Sequence, residues 1–202
     1  MRRTREEALA TRTAIMEAAL LEFAERGYAA ATLADIATRA GLTRGAAYHH
    51  FEDKADLYLQ AVGERWEEVG DTIWRHLDAD GSPLARVRRF LVAYFVALES
   101  DRRLRTLLEV TMFKTESLPE LEPGLRAKAG AMRDWTDRLS AVLVQAADRG
   151  ELRAGVPPAT AAFAISSYAT GVATLFLIDR GLLSPARHAE QLAATALGGL
   201  SG

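Results

Sequence analysis

Thr43, Arg44, Gly45, Ala46, Tyr48, His49 and Lys54 fall within one short stretch of the chain, and their side chains suit one kind of chemistry. An arginine guanidinium meets the O6 and N7 acceptors of guanine as a bidentate fork. Gly45 and Ala46 keep the neighbouring surface low enough for close approach, while Tyr48, His49 and Lys54 offer donors to phosphate oxygens. Arg2, Arg3 and Arg5 add positive groups for phosphate or minor-groove contact. This is recognition by hydrogen bonding and charge, with no bond made or broken.

Reaction chemistry has little to work with. The absence of cysteine removes thiolate nucleophiles, disulfides and thiolate metal sites, and it suits a reducing cytoplasm. No G-x-S-x-G, P-loop, G-x-G-x-x-G or H-E-x-x-H motif occurs. His49 and His50 are adjacent, so on a helix they point about 100° apart, and no acidic ligand set accompanies them. His76 and His188 stand alone. The expectations are no enzyme activity, no metal and no cofactor.

The elements that must hold these residues are helices. Apolar residues recur at helical spacing, and the six prolines fall between periodic segments. The pattern predicts helices over roughly 6–26, 33–40, 44–50, 54–78, 84–100, 102–114, 121–149, 158–179 and 185–198. Ile15, Ala19 and Phe23 make the inner stripe of the first, which stops at Gly27. Thr32 caps the second with Asp35 in its first turn, Gly41 breaks it, and Thr43 caps the third. Two helices this short are marginal alone and need the first helix as support, which makes a three-helix helix-turn-helix unit.

Charge does not announce a nucleic-acid partner. The chain carries a net charge of −2, and residues 1–54 hold eight basic and eight acidic side chains, so binding must rest on placement. Over 202 residues, 49% hydrophobic and 26% charged is the composition of a soluble globular chain with a real core. The charged start, Met1 to Glu7, has no secretory apolar region, and a cytoplasmic location is expected.

Residues 8–60, with Thr32-Leu33-Ala34-Asp35-Ile36-Ala37, Ala40-Gly41-Leu42-Thr43-Arg44-Gly45-Ala46 and Tyr48-His49-His50-Phe51-Glu52-Asp53-Lys54-Ala55-Asp56-Leu57, closely resemble the DNA-binding domain of TetR-family transcriptional regulators. The resemblance implies that Thr32, Thr43, Arg44, Gly45, Tyr48, His49 and Lys54 face DNA, with Phe51 and Leu57 in the core. His49 stands where many members carry tryptophan, and Ala47 where many carry a larger aliphatic residue.

Beyond residue 54 the helices show wide apolar faces. Val62, Trp66, Val69, Ile73 and Leu77 share one stripe, and Val87, Phe90, Leu91, Tyr94, Phe95 and Leu98 another. Large aromatics together with Ser166, Ser167, Thr170 and Thr174 suit an apolar pocket with a few polar anchors. Residues 102–116 and the long helix after them resemble the AcrR-like branch, whose members repress multidrug efflux pump operons. By that resemblance Trp66, Phe90, Tyr94, Met112, Trp135, Leu139, Ser166 and Thr170 line an effector pocket.

Residues 154–178 carry no charge, but Pro157, Pro158 and several hydroxyls make a poor membrane span, so no membrane is expected. Phe163, Tyr168, Val172, Leu175 and Phe176, with Leu192, Ala193 and Ala196, make a patch that a two-fold partner would cover.

The expected fold is all-α, with a helix-turn-helix domain over 1–53 and a larger effector-binding and dimerisation bundle over 54–202. The expected function is a homodimeric repressor of a pseudo-palindromic operator, released by a hydrophobic or aromatic effector and controlling a multidrug efflux operon. Control of lipid, antibiotic or degradation genes, or a helical ligand carrier without DNA binding, are the alternatives.

Overall fold

The computed structural model describes residues 5–115 and 118–200. Among them the α-helices are, in order, α1 (Arg5–Ala30), α2 (Leu33–Arg39), α3 (Arg44–His50), α4 (Lys54–Trp74), α5 (Pro83–Ser100), α6 (Arg102–Phe113), α7 (Glu122–Asp148), α8 (Pro158–Ile178) and α9 (Ala189–Leu197). A 3-10 turn at Pro119–Leu121 leads into α7. The fold is all-α, and every predicted helix is present.

Two compact units are formed. The first takes residues 1–68 and 106–126, and the second 69–105 and 127–202. The expected boundary at residue 53 therefore lies inside the first unit. The reason is burial: Leu57, Tyr58 and Ala61 of α4, Val110 of α6 and Leu121 share one core with Ile15, Ala19, Phe23, Ile36, Ala37, Ala47 and Phe51. Phe23, Tyr28 and Tyr58 meet there with ring centroids 5.4–5.6 Å apart. Ion pairs flank this core. Arg12 donates to Gln60 and Glu64, both at 2.5 Å, and buried Arg65 pairs with Glu17 and Glu68.

Helix ends follow from specific caps. The backbone of α1 breaks at Gly27, with φ 79°, and the chain runs one further turn to Ala30. That glycine lets Tyr28 turn its N–H to the Lys114 carbonyl at 2.9 Å. Helix α4 ends four residues earlier than predicted, because His76 and Leu77 bond back to Ile73 and Trp74 in tight three-residue turns. Helix α9 begins only at Ala189. Glu99 accepts hydrogen bonds from the Ser184 hydroxyl at 2.6 Å and the Ala186 N–H at 3.0 Å, and these hold the preceding segment in turns.

In the second unit, α5 packs on α9, with Arg88 and Glu190 paired at 2.6 Å. Its buried residues include Val87, Phe90, Leu91, Phe95, Leu98, Leu139, Leu143 and Ala193. Helix α8 is long and apolar enough to cross a membrane by length and composition alone. Its Ala161, Ala162, Ile165, Ser166, Ala169, Ala173 and Phe176 are buried, and its opposite face is exposed.

Candidate nucleic-acid interface and aromatic cluster

Helices α2 and α3 are joined by a turn that only glycine fits well. Gly41 adopts φ 71°, its N–H bonds to the Thr38 carbonyl at 3.0 Å, and the Leu42 N–H reaches the Ala37 carbonyl at 2.8 Å. This is a Schellman motif, with Gly41 in the left-handed conformation that a Cβ disfavours. Thr32 caps α2 by accepting the Asp35 N–H at 3.1 Å while its hydroxyl donates to the Asp35 carboxylate at 2.7 Å. Thr43 caps α3 by accepting the Ala46 N–H at 3.4 Å.

The orientation of α3 is set by what it buries. Ala47 and Phe51 are inside, and this leaves Thr43, Arg44, Gly45, Tyr48 and His49 together on the exposed side. Thr32 is exposed as well. A Cβ at Gly45 would meet nothing closer than the Thr43 hydroxyl at 4.0 Å, so this part of the helix surface is open. Arg44 donates to the Tyr48 hydroxyl at 3.1 Å, and its guanidinium carbon lies 5.2 Å from the Tyr48 ring centroid.

Neighbouring charges are spent elsewhere. Arg39 is held by Glu22 at 2.7 Å and by Glu25, and Arg26 by Glu22 at 3.1 Å and Asp35 at 3.2 Å. Both glutamates raise the Arg39 pKa through hydrogen bonds. Among the described basic residues of 5–54, Arg44 and Arg5 are left facing solvent without a carboxylate or carbonyl partner. Arg2 and Arg3 lie outside the described residues.

Lys54 departs from the expectation. Its ammonium donates to the carbonyls of Tyr28 at 2.8 Å, Ala29 at 3.2 Å and Ala31 at 3.1 Å, and sits 4.3 Å from the Tyr28 ring centroid. All three donors are satisfied within the protein, so the side chain ties the start of α4 to the end of α1 and is not extended towards DNA. Electrostatics explains the placement, since carbonyls at a helix C-terminus attract a cation. Burial, reinforced by Glu120 and Asp53, pushes the Tyr28 hydroxyl up to about 12.

The residues expected to line an effector pocket are only partly gathered. Phe90, Tyr94 and Trp135 do meet, with centroids of 5.1 Å for Phe90 to Trp135 and 5.6 Å for Tyr94 to Trp135. Trp74, absent from the sequence expectation, completes the cluster at 4.8 Å from Trp135 and stacks on Phe90 at 5.3 Å. Its signal was its place one turn after Gly70, where a Cβ would lie 3.0 Å from the Trp74 indole nitrogen. The Trp135 indole N–H is buried without a hydrogen-bond partner, and burial raises the Tyr94 pKa.

Leu139 is buried in the second unit, whereas half-buried Trp66 and Met112 belong to the first. Ser166 is buried and donates its hydroxyl to the Ala162 carbonyl at 2.8 Å, which leaves only its oxygen lone pairs to meet a ligand. Thr170 is corrected outright, because it lies on the exposed face of α8.

The patch expected to meet a partner also divides. Phe163 and Leu175 are 68% and 58% exposed on α8. Tyr168, Val172, Leu192 and Ala196 are half-buried. Phe176 and Ala193 turn inward, at 6% and 0% exposure, and leave the expected interface. In α8 the residues three and seven before Phe176, Ala173 and Ala169, lie on the buried face, so its aromatic ring joins the core. Among the described residues, no group of three His, Asp or Glu is close enough to hold a metal ion.

Comparison with known proteins bears directly on this arrangement. The sequence pattern of a family described as bacterial regulatory proteins, tetR family, matches residues 15–61, the segment containing α2 and α3. The HTH-type transcriptional regulator TtgR of Pseudomonas putida is 37% identical over 187 residues, covering 92% of this chain and 86% of the relative. The crystal structure of NalD, the secondary repressor of the MexAB-OprM multidrug efflux pump in Pseudomonas aeruginosa, superimposes with TM-score 0.84 at 28% identity, covering 98% of each chain. A complex of SmeT with triclosan superimposes with TM-score 0.82 at 30% identity, covering 96% of this chain and 92% of that one; SmeT represses the multidrug efflux pump SmeDEF of Stenotrophomonas maltophilia. A capped helix pair around Gly41, an open recognition face on α3 and similarity along nearly the whole chain together place this protein in the tetR family of bacterial transcriptional regulators.

Proposed function

We propose that the chain is a ligand-responsive repressor that binds a pseudo-palindromic operator as a homodimer and controls a multidrug efflux operon. The observation that carries this reading is the open face of α3, where Thr43, Arg44, Gly45, Tyr48 and His49 stand together and Arg44 has no acidic partner. Arg44 reads a base, while Thr32, Thr43, Tyr48 and His49 fix the register through phosphates. Two copies place their recognition helices about one DNA turn apart, roughly 34–36 Å. The exposed apolar face of α8, with Phe163 and Leu175, supports pairing of the copies.

The effector is hydrophobic or aromatic. Phe90, Tyr94, Trp135 and Trp74 already touch one another, so a ligand entering among them must part the rings. The unpartnered Trp135 N–H offers such a ligand one donor. An effector that fits a state with α4 displaced draws the protein away from its DNA-competent state. Moving the population from 99:1 to 1:99 requires about 10⁴-fold preference, or ~5.5 kcal/mol. The protein acts in the cytoplasm, without catalysis.

The test is fluorescence anisotropy of the full chain on the intergenic DNA beside its own gene, against scrambled DNA at fixed salt, with a panel of hydrophobic antibiotics and dyes. Specific binding near ~10⁻⁸ M that a compound releases is the expected result. Random-site selection that returns no preferred sequence would overturn it.

A further inference from the structure

A cleft of about 240 Å³ opens beside the end of α4, against α5 and α7. Trp74, Leu77, Asp78, Arg86, Arg138 and Gln145 are among the residues on its wall. It shares only Trp74 with the aromatic cluster and uses none of the residues assigned to DNA. The volume exceeds the ~150 Å³ that accepts benzene and falls below the ~300 Å³ of ordinary ligand pockets, so it suits one or two fused rings.

The wall combines a flat aromatic surface with unspent positive donors. Trp74 is fixed by stacking on Phe90, with 17° between the planes, and by Trp135 edge-on at 4.8 Å. The Arg138 guanidinium carbon lies 5.2 Å from the Trp74 centroid. Arg138 is exposed and has no acidic partner among the described residues. Arg86 is held in place by donating Nε to the Leu77 carbonyl at 2.5 Å and Nη1 to Gln145 at 2.9 Å, which leaves Nη2 available.

Asp78 is the one carboxylate on this wall. Two guanidiniums beside it leave the wall net positive, which favours an anion over a neutral ligand of the same shape. A planar carboxylate also matches the guanidinium fork, in which two parallel N–H donors meet two oxygens.

We propose that this cleft binds a small planar aromatic carboxylate, its ring against Trp74 and its carboxylate on Arg138 and Arg86. Operator binding plays no part in this site, so the regulatory reading and this one fail separately.

Isothermal titration calorimetry of the full chain with 2-naphthoate and 2-naphthamide tests the proposal. Naphthoate is expected to bind once per chain, with the amide at least tenfold weaker. Arg138→Gln is expected to weaken naphthoate at least tenfold, with Arg138→Lys between it and the unaltered chain. Arg138 is exposed, so these variants keep the fold, which circular dichroism checks. Equal binding of acid and amide, or naphthoate affinity unchanged in Arg138→Gln, would place the ring elsewhere and overturn the proposal. The absence of saturable naphthoate binding at millimolar concentration would overturn it equally.

Discussion

Arg44 lies against Tyr48 on the exposed side of α3, while Lys54 is turned inward, and the two residues make opposite predictions. Arg44→Ala is expected to cost about 1–3 kcal/mol on the operator and to relax preference at one base pair, read by anisotropy on singly substituted operators. A uniform loss on operator and random DNA would remove its base-reading role. Lys54→Met leaves three carbonyls at the end of α1 without their charged donor and is expected to lower folding stability by about 1–3 kcal/mol in thermal or urea unfolding. The slope of log affinity against log salt should stay the same, since a phosphate contact would remove about one from it. The sequence announced both side chains as cationic donors near α3. It did not announce direction, which for Lys54 depends on carbonyls that α1 brings back from more than twenty residues away.

At the scale of elements, caps and turns were legible because each is local. Thr32 with Asp35, Gly41 and Thr43 place the ends of α2 and α3 through contacts within five residues. The end of α4 and the start of α9 were not legible in the same way, because distant or tertiary contacts decide them. Glu99 of α5 is the clearest case, holding Ser184 and Ala186 across more than eighty residues. These hydrogen bonds, the Ser184 hydroxyl first, lower the Glu99 pKa below the ordinary carboxylate value. A depressed folded-state pKa adds stability that is fully present above the unfolded value and is lost as pH falls through the folded one. Acidification into and below the usual glutamate range is therefore expected to loosen the segment before α9. Hydrogen exchange of residues 184–188 should rise there, and Glu99→Gln should reduce that pH dependence. Helix faces show the same contrast. The apolar pattern of α8 did not distinguish Phe163, which is exposed, from Phe176, which fills the core. Both are phenylalanines on one uncharged helix, and only packing separates them.

For the whole molecule, the uncovered face of α8 sets the expectation for assembly. Phe163→Glu with Leu175→Glu places charge where apolar groups are mostly exposed, outside the buried core. Sedimentation is expected to shift the chain to monomer with its helical content unchanged, and operator affinity should fall by at least a hundredfold because one half-site is then read alone. A dimer that survives both changes would move the interface elsewhere. The all-helical class and the DNA-reading unit were the parts most legible in the sequence, since Gly41, Arg44 and their neighbours act over a few residues. The domain limits were not, because Val110 and Leu121 enter the core of the first unit from far along the chain. That arrangement has a consequence during synthesis. When residue 68 leaves the ribosome the DNA-reading unit still lacks these two buried side chains, and at about 5–20 residues per second the stretch ending near residue 126 follows roughly 3–12 s later. A nascent chain halted in that interval exposes an unfinished apolar core, so a truncated product of the first 68 residues is a substrate for chaperones and proteases, not a miniature repressor.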